Sequence, residues 1–137
     1  MIHWNSHALS FVVACLLVLT GCGDGRPRRV HVSGVVTFEG TPVEGAHVMF
    51  TPTGARPASA RTDADGRFEL RTFDENDGAV IGTHLVTIAK KKFGQDPYAA
   101  AGSALPERYG RTDTSGLSAE VTADGPNDFR FDLTAKE

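Results

Sequence analysis

Val32-Ser33-Gly34-Val35-Val36-Thr37-Phe38 is the stretch whose reading decides the fold. Val32, Gly34, Val36 and Phe38 fall on one face of an extended chain, and His31, Ser33, Val35 and Thr37 fall on the other. Side chains of a strand point alternately to its two sides, so this spacing predicts a half-buried β-strand. The same period of two recurs along the chain. Ala46, Val48 and Phe50 alternate with His47 and Met49, and Phe68 and Leu70 alternate with Arg67, Glu69 and Arg71. His84, Val86 and Ile88 share a face, as do Leu117, Ala119 and Val121, and Phe129, Phe131 and Leu133. These runs are rich in Val, Thr and Phe, which suit a pleated, half-covered surface.

Turn signals separate the runs: Glu39-Gly40-Thr41-Pro42, Pro52-Thr53-Gly54, Asp63-Ala64-Asp65-Gly66, Asn76-Asp77-Gly78 and Asp124-Gly125-Pro126-Asn127-Asp128. Each supplies Gly for positive φ, Pro for fixed φ, or Asp/Asn to cap nearby N–H groups. No segment of this region holds a helical period for three turns. The expectation is an all-β fold, an antiparallel β-sandwich of about seven strands.

The N-terminal part reads differently. Ala8 to Leu19 is an apolar run interrupted only by Ser10. At about 1.5 Å per residue such a helix is shorter than a ~30 Å hydrocarbon core, so it reads as the h-region of an export signal. Leu19-Thr20-Gly21-Cys22 follows and resembles the lipobox of bacterial lipoproteins, although Met1 to His7 lacks the usual Lys or Arg. The resemblance implies cleavage before Cys22 and acylation of that cysteine. Two or more acyl chains, each contributing about 0.8 kcal/mol per buried CH₂, anchor a protein firmly without crossing the bilayer. The expected organisation is a signal peptide over 1–21, a lipidated Cys22 with a tether over 22–29, and a domain over 30–137. Gly23 to Arg29, rich in Gly, Pro and Arg, would reach about 24 Å fully extended.

Of the two cysteines, Cys15 lies in the signal and Cys22 at the processing site. The mature domain therefore has no disulfide to rely on and must hold its fold by its core. The net charge of −3, with acids and bases mixed, argues against nucleic acid as a partner.

Three stretches carry a further resemblance: Val32-Ser33-Gly34-Val35-Val36, then Gly40-Thr41-Pro42-Val43-Glu44-Gly45-Ala46-His47-Val48, then Thr62-Asp63-Ala64-Asp65-Gly66-Arg67-Phe68. Together they resemble the carboxypeptidase regulatory-like family of small transthyretin-like β-sandwich domains. Gly82-Thr83-His84-Leu85-Val86-Thr87-Ile88 is similar to a later strand of that family, with His84 in place of its usual aromatic residue. The resemblance covers roughly residues 30–90. The remainder, from Leu105 to Leu133, looks like the C-terminal half of short bacterial lipoproteins of this type. The resemblance implies a transthyretin- or Ig-like sandwich that serves as a folding module, stalk or binding module, with no shared active site.

Candidate chemistry in the mature chain is sparse. Asp63-Ala64-Asp65-Gly66 resembles the opening of an EF-hand loop, but the position that needs a bidentate Glu is occupied by Asp74, and strand residues intervene. It reads as a hairpin turn. His31, His47 and His84 fall on predicted strands without an HExxH spacing or a nucleophile elbow, so no catalytic residue, metal ligand or cofactor is expected. The connection from Lys90 to Gly116 is long and aperiodic, a kind of segment that is often functional. Its Phe93, Tyr98 and Tyr109 either face a ligand, as in carbohydrate or peptide binders, or fold back to plug the open end of the sandwich. Lys90-Lys91-Lys92 suits protection of a sheet edge.

The expected function is that of a non-enzymatic envelope protein, lipid-anchored through Cys22, with a structural or interaction role. Its expected partners are the membrane and an envelope protein or glycan. Gly23 lacks the Asp that commonly retains such proteins in the inner membrane, which favours the outer membrane. The alternative expectation is a carbohydrate- or peptide-binding module that uses the 90–116 loop.

Overall fold

The computed structural model describes residue 23 and residues 25–92 and 102–136. Cys22 and the preceding run, together with Phe93 and Tyr98, lie outside the described residues. Seven strands of three to eight residues form the domain: β1 (Ser33–Phe38), β2 (His47–Pro52), β3 (Ala58–Arg61), β4 (Arg67–Glu69), β5 (Gly82–Ala89), β6 (Leu117–Val121) and β7 (Asp128–Leu133).

They make two sheets. The first has the order β6-β5-β2-β3, every neighbour antiparallel. In the second, β1 is central, with β7 on one side and β4 on the other; Thr41–Pro42 pairs with the end of β1. The predicted antiparallel sandwich is present, with one parallel pairing in it: β7 runs alongside β1 from Asp128↔Ser33 to Leu133↔Phe38. Hairpins force antiparallel neighbours, whereas strands far apart in sequence are free of that constraint. Thr37 and Asp132, hydrogen-bonded across this pair at 2.6 Å, are 95 positions apart.

The inward faces are those the alternation predicts. Val32, Val36, Val48, Phe50, Val86, Ile88 and Val121 are fully buried, and His31, His47 and Arg67 are exposed. Each large apolar side chain buried in this way contributes about 1.5–3 kcal/mol. Phe50 of the first sheet meets Phe68, Phe129 and Phe131 of the second at centroid separations of 6.2, 5.6 and 6.1 Å, the last two edge-on. Edge-on rings add about 0.5–1.5 kcal/mol beyond their buried area.

Two backbone positions explain sequence features. A Cβ on Gly34 would lie 2.3 Å from the Phe129 carbonyl oxygen and 2.5 Å from Phe68 Cζ. A hydrogen atom is all that this place in a central strand accommodates. Gly45, at φ +72°, turns the chain into β2 so that Ala46 enters the core. Thr62 locks that turn: its hydroxyl donates to the Val43 carbonyl at 2.5 Å and accepts from the Ala46 N–H at 2.8 Å.

Candidate functional site

Among the residues singled out by sequence, Cys22, Phe93 and Tyr98 lie outside the described residues, and Tyr109 lies within them. It sits on a short 3-10 turn, Glu107–Gly110, and is 7% exposed in the same hydrophobic cluster as Leu105, Val36 and Leu133. Its hydroxyl donates to the Thr134 carbonyl at 3.2 Å and accepts from the Thr134 N–H at 3.1 Å and from Arg108 Nη2 at 3.0 Å. Burial acts to raise the pKa of this phenol, but the hydrogen bonds at Thr134 and Arg108, with the guanidinium charge, outweigh it and hold it below its ordinary value. Tyr109 is thus buried, and its hydroxyl ties the long connection to the end of β7.

His31 and His84 have opposite surroundings. His31 is exposed, with Nε2 3.9 Å from Glu69 Oε1. His84 is fully buried beside Phe50, at 5.7 Å between centroids, with Nε2 2.8 Å from the Val80 carbonyl oxygen. Its Nδ1 has no partner among the described residues. The imidazole is therefore used as a core ring. The Asp63 turn is closed by its own backbone: Asp63 Oδ1 accepts from the Asp65 and Arg67 N–H groups, both at 2.9 Å. Among the described residues no group of three or more His, Cys, Asp or Glu is placed to hold a metal ion.

Part of the stretch expected to be a tether packs on the domain. Arg29–Val30 pairs with Ala79–Val80, one residue before the predicted boundary at Val30. The guanidinium groups of Arg26, Arg29 and Arg56 lie 4.7, 4.9 and 5.1 Å from the centre of the Phe73 ring. Such cation–π contacts contribute about 0.5–1 kcal/mol each at exposed sites. Acids balance this cluster, with Asp74 3.6 Å from Arg26 and Asp77 2.9 Å from Arg29.

A feature that sequence reading missed lies at the β2/β3 end of the first sheet. Cross-strand register sets His47 opposite Arg61 on one side and Ala89 on the other, which brings Lys90 and Lys91 alongside. A groove of about 570 Å³ is lined by His47, Arg61, Lys90 and Lys91 with Gly45 and Ala89. It shares His47 and Arg61 with a second groove, of about 420 Å³, that continues past Ser59 to Arg71 and Glu69. Arg61, Arg71, Lys90 and Lys91 take part in no ion pair among the described residues. The only sequence signal was Lys90-Lys91; its partners come from three other segments and converge only through strand pairing.

No helix among the described residues is long and apolar enough to cross a membrane. No family model matches the chain, and no curated protein matches it. Among solved structures, a 9R-lipoxygenase from Cyanothece PCC8801 matches with 14% identity and a TM-score of 0.35, over 79% of this chain and 16% of that one. The chain thus spans about a sixth of that protein's length, and a likeness at this score carries no argument about function.

Proposed function

We infer that this chain is a lipid-anchored bacterial envelope protein whose β-sandwich, of the carboxypeptidase regulatory-like kind, plays a non-catalytic, structural or interaction role. The observation that carries the reading is Leu19-Thr20-Gly21-Cys22, set directly after a short apolar run and directly before a folded domain. The docking of Arg26 and Arg29 on Phe73 supports it. Arg26 and Arg29 are held against the sandwich, and the four residues Cys22 to Gly25 would reach about 14 Å at full extension. The sandwich would then sit against the headgroups, on the outer membrane by the Gly23 argument.

Radiolabelled palmitate supplied to expressing cells tests the anchor. Incorporation into the wild-type chain and none into Cys22→Ser, with release of that variant from the membrane fraction, is the expected result. An unlabelled wild-type protein secreted in soluble form overturns it.

The alternative of a carbohydrate- or peptide-binding module keeps one observation in its favour: the cationic strip begins at Lys90 and Lys91, where the 90–116 connection leaves β5.

A further inference from the structure

We propose that the double groove holding Lys90, Lys91, His47, Arg61 and Arg71 binds an acidic polysaccharide, a linear glycan bearing carboxylate or sulfate groups. The proposal rests on the reading of the sandwich as an interaction module and names the class of its ligand.

The charge distribution is the first argument. The chain carries 14 Lys and Arg against 17 Asp and Glu, so an even spread would leave any patch neutral or slightly acidic. Here four permanent cations and a histidine line two connected grooves, and Glu69 is the only carboxylate among the described lining residues. Like charges gathered without counter-ions repel one another and cost stability. An anionic ligand removes that repulsion. Arg61 and Arg71 each present a planar fork suited to bidentate contact with carboxylate or sulfate, while Lys90 and Lys91 act as point charges.

Shape and lining argue for a glycan chain. The two grooves share His47 and Arg61 as lining residues, so the cationic lining extends beyond a single-ion pit. A peptide adding as a strand needs a free sheet edge. Along β3 that edge is occupied at Ser59, whose N–H donates to the Arg71 carbonyl at 2.9 Å and whose carbonyl accepts from Arg71 N–H at 3.0 Å. A peptide held through its side chains relies on buried apolar anchors. Among the described residues neither groove is lined by a large apolar side chain, whereas the Ser59 hydroxyl suits sugar hydroxyls. Recognition would then come from the acid groups of the glycan.

The full chain, purified in detergent, is run in affinity electrophoresis through gels containing polygalacturonate, dextran sulfate, poly-glutamate or neutral dextran. Retardation by the two acidic glycans and none by dextran is expected, weakening with added salt. Arg61→Glu and Lys91→Glu should each weaken it at least tenfold, while Arg130→Glu, the same charge change on β7 of the other sheet, leaves it within twofold. Circular dichroism on each variant shows that the sandwich persists. Absence of retardation, equal loss in Arg130→Glu, or binding of poly-glutamate as tight as that of the glycans overturns the proposal. Palmitate labelling is scored separately on the same chain, so loss of glycan binding is not confused with loss of the anchor.

Discussion

Arg29 Nε lies 2.9 Å from Asp77 Oδ2, and the two side chains are only 16% and 13% exposed. Asp77 also accepts from the N–H groups of Thr72 at 2.6 Å and Phe73 at 3.1 Å, so one carboxylate pins the strand Arg29–Val30 and shapes the turn after Leu70. Burial acts to raise its pKa, but the backbone donors at Thr72, Asp74 and Phe73 and the Arg29 charge together outweigh it, and the net shift is downward from 3.8.

Asp77→Asn keeps the shape and removes the charge. It should cost about 2–3 kcal/mol at pH 7, since charge-assisted bonds are lost and Arg29 is left half-buried. A folded pKa below the unfolded one means that the contribution is fully present above the unfolded value and is lost as pH falls through the folded value. The gap in Tm between wild type and variant, followed by circular dichroism, should therefore be constant from pH 7 to 5 and narrow below about pH 4. A gap that persists undiminished to pH 2 contradicts this assignment.

Gly34→Ala places a methyl group against the Phe129 carbonyl oxygen and the Phe68 ring. The ring can turn away, but the carbonyl belongs to the neighbouring strand and cannot. The substitution should destabilise by about 3 kcal/mol, the upper end for overpacking, and chemical denaturation measures it directly. An effect below about 0.5 kcal/mol would show that β7 moves freely relative to β1.

Thr62→Val is nearly isosteric yet removes the hydroxyl that joins Val43 to Ala46. Its cost should be about 1–3 kcal/mol, because the buried Ala46 N–H is left without an acceptor. Thr62→Ser, which keeps the hydroxyl, should recover most of the loss in the same denaturation series.

Tyr109→Phe deletes the hydroxyl shared by Arg108 and Thr134 while keeping the buried ring. A loss of about 1–2 kcal/mol is expected. Hydrogen exchange should report faster exchange at Thr134 and Ala135 with little change in β2 and β5. Uniform acceleration throughout the domain would instead make Tyr109 a global core residue.

The alternation that starts at Val32 made the strands other than β3 and their buried faces legible, because a period of two ties each residue to a side of the sheet without reference to any partner. Pairing was less legible. Nothing local in Asp128–Leu133 says that it lies beside Ser33–Phe38 and parallel to it. Gly34 showed that something must come close, but not that Phe68 and the Phe129 carbonyl both do. Tyr109 lies in an aperiodic connection, where burial is decided by tertiary contacts alone. The cationic strip was hidden for the same reason: His47 and Arg71 read as ordinary outward residues of separate strands, and Arg61 falls in none of the alternating runs.

The parallel union of β1 and β7 sets an order on folding. β1 leaves the ribosome early, yet one of its flanks stays open until residues 128–133 arrive. Contacts of such long sequence separation slow folding, because loop-closure entropy is lost before the contact forms. The residues that finish the sheet thus also act as the clock for when it can form.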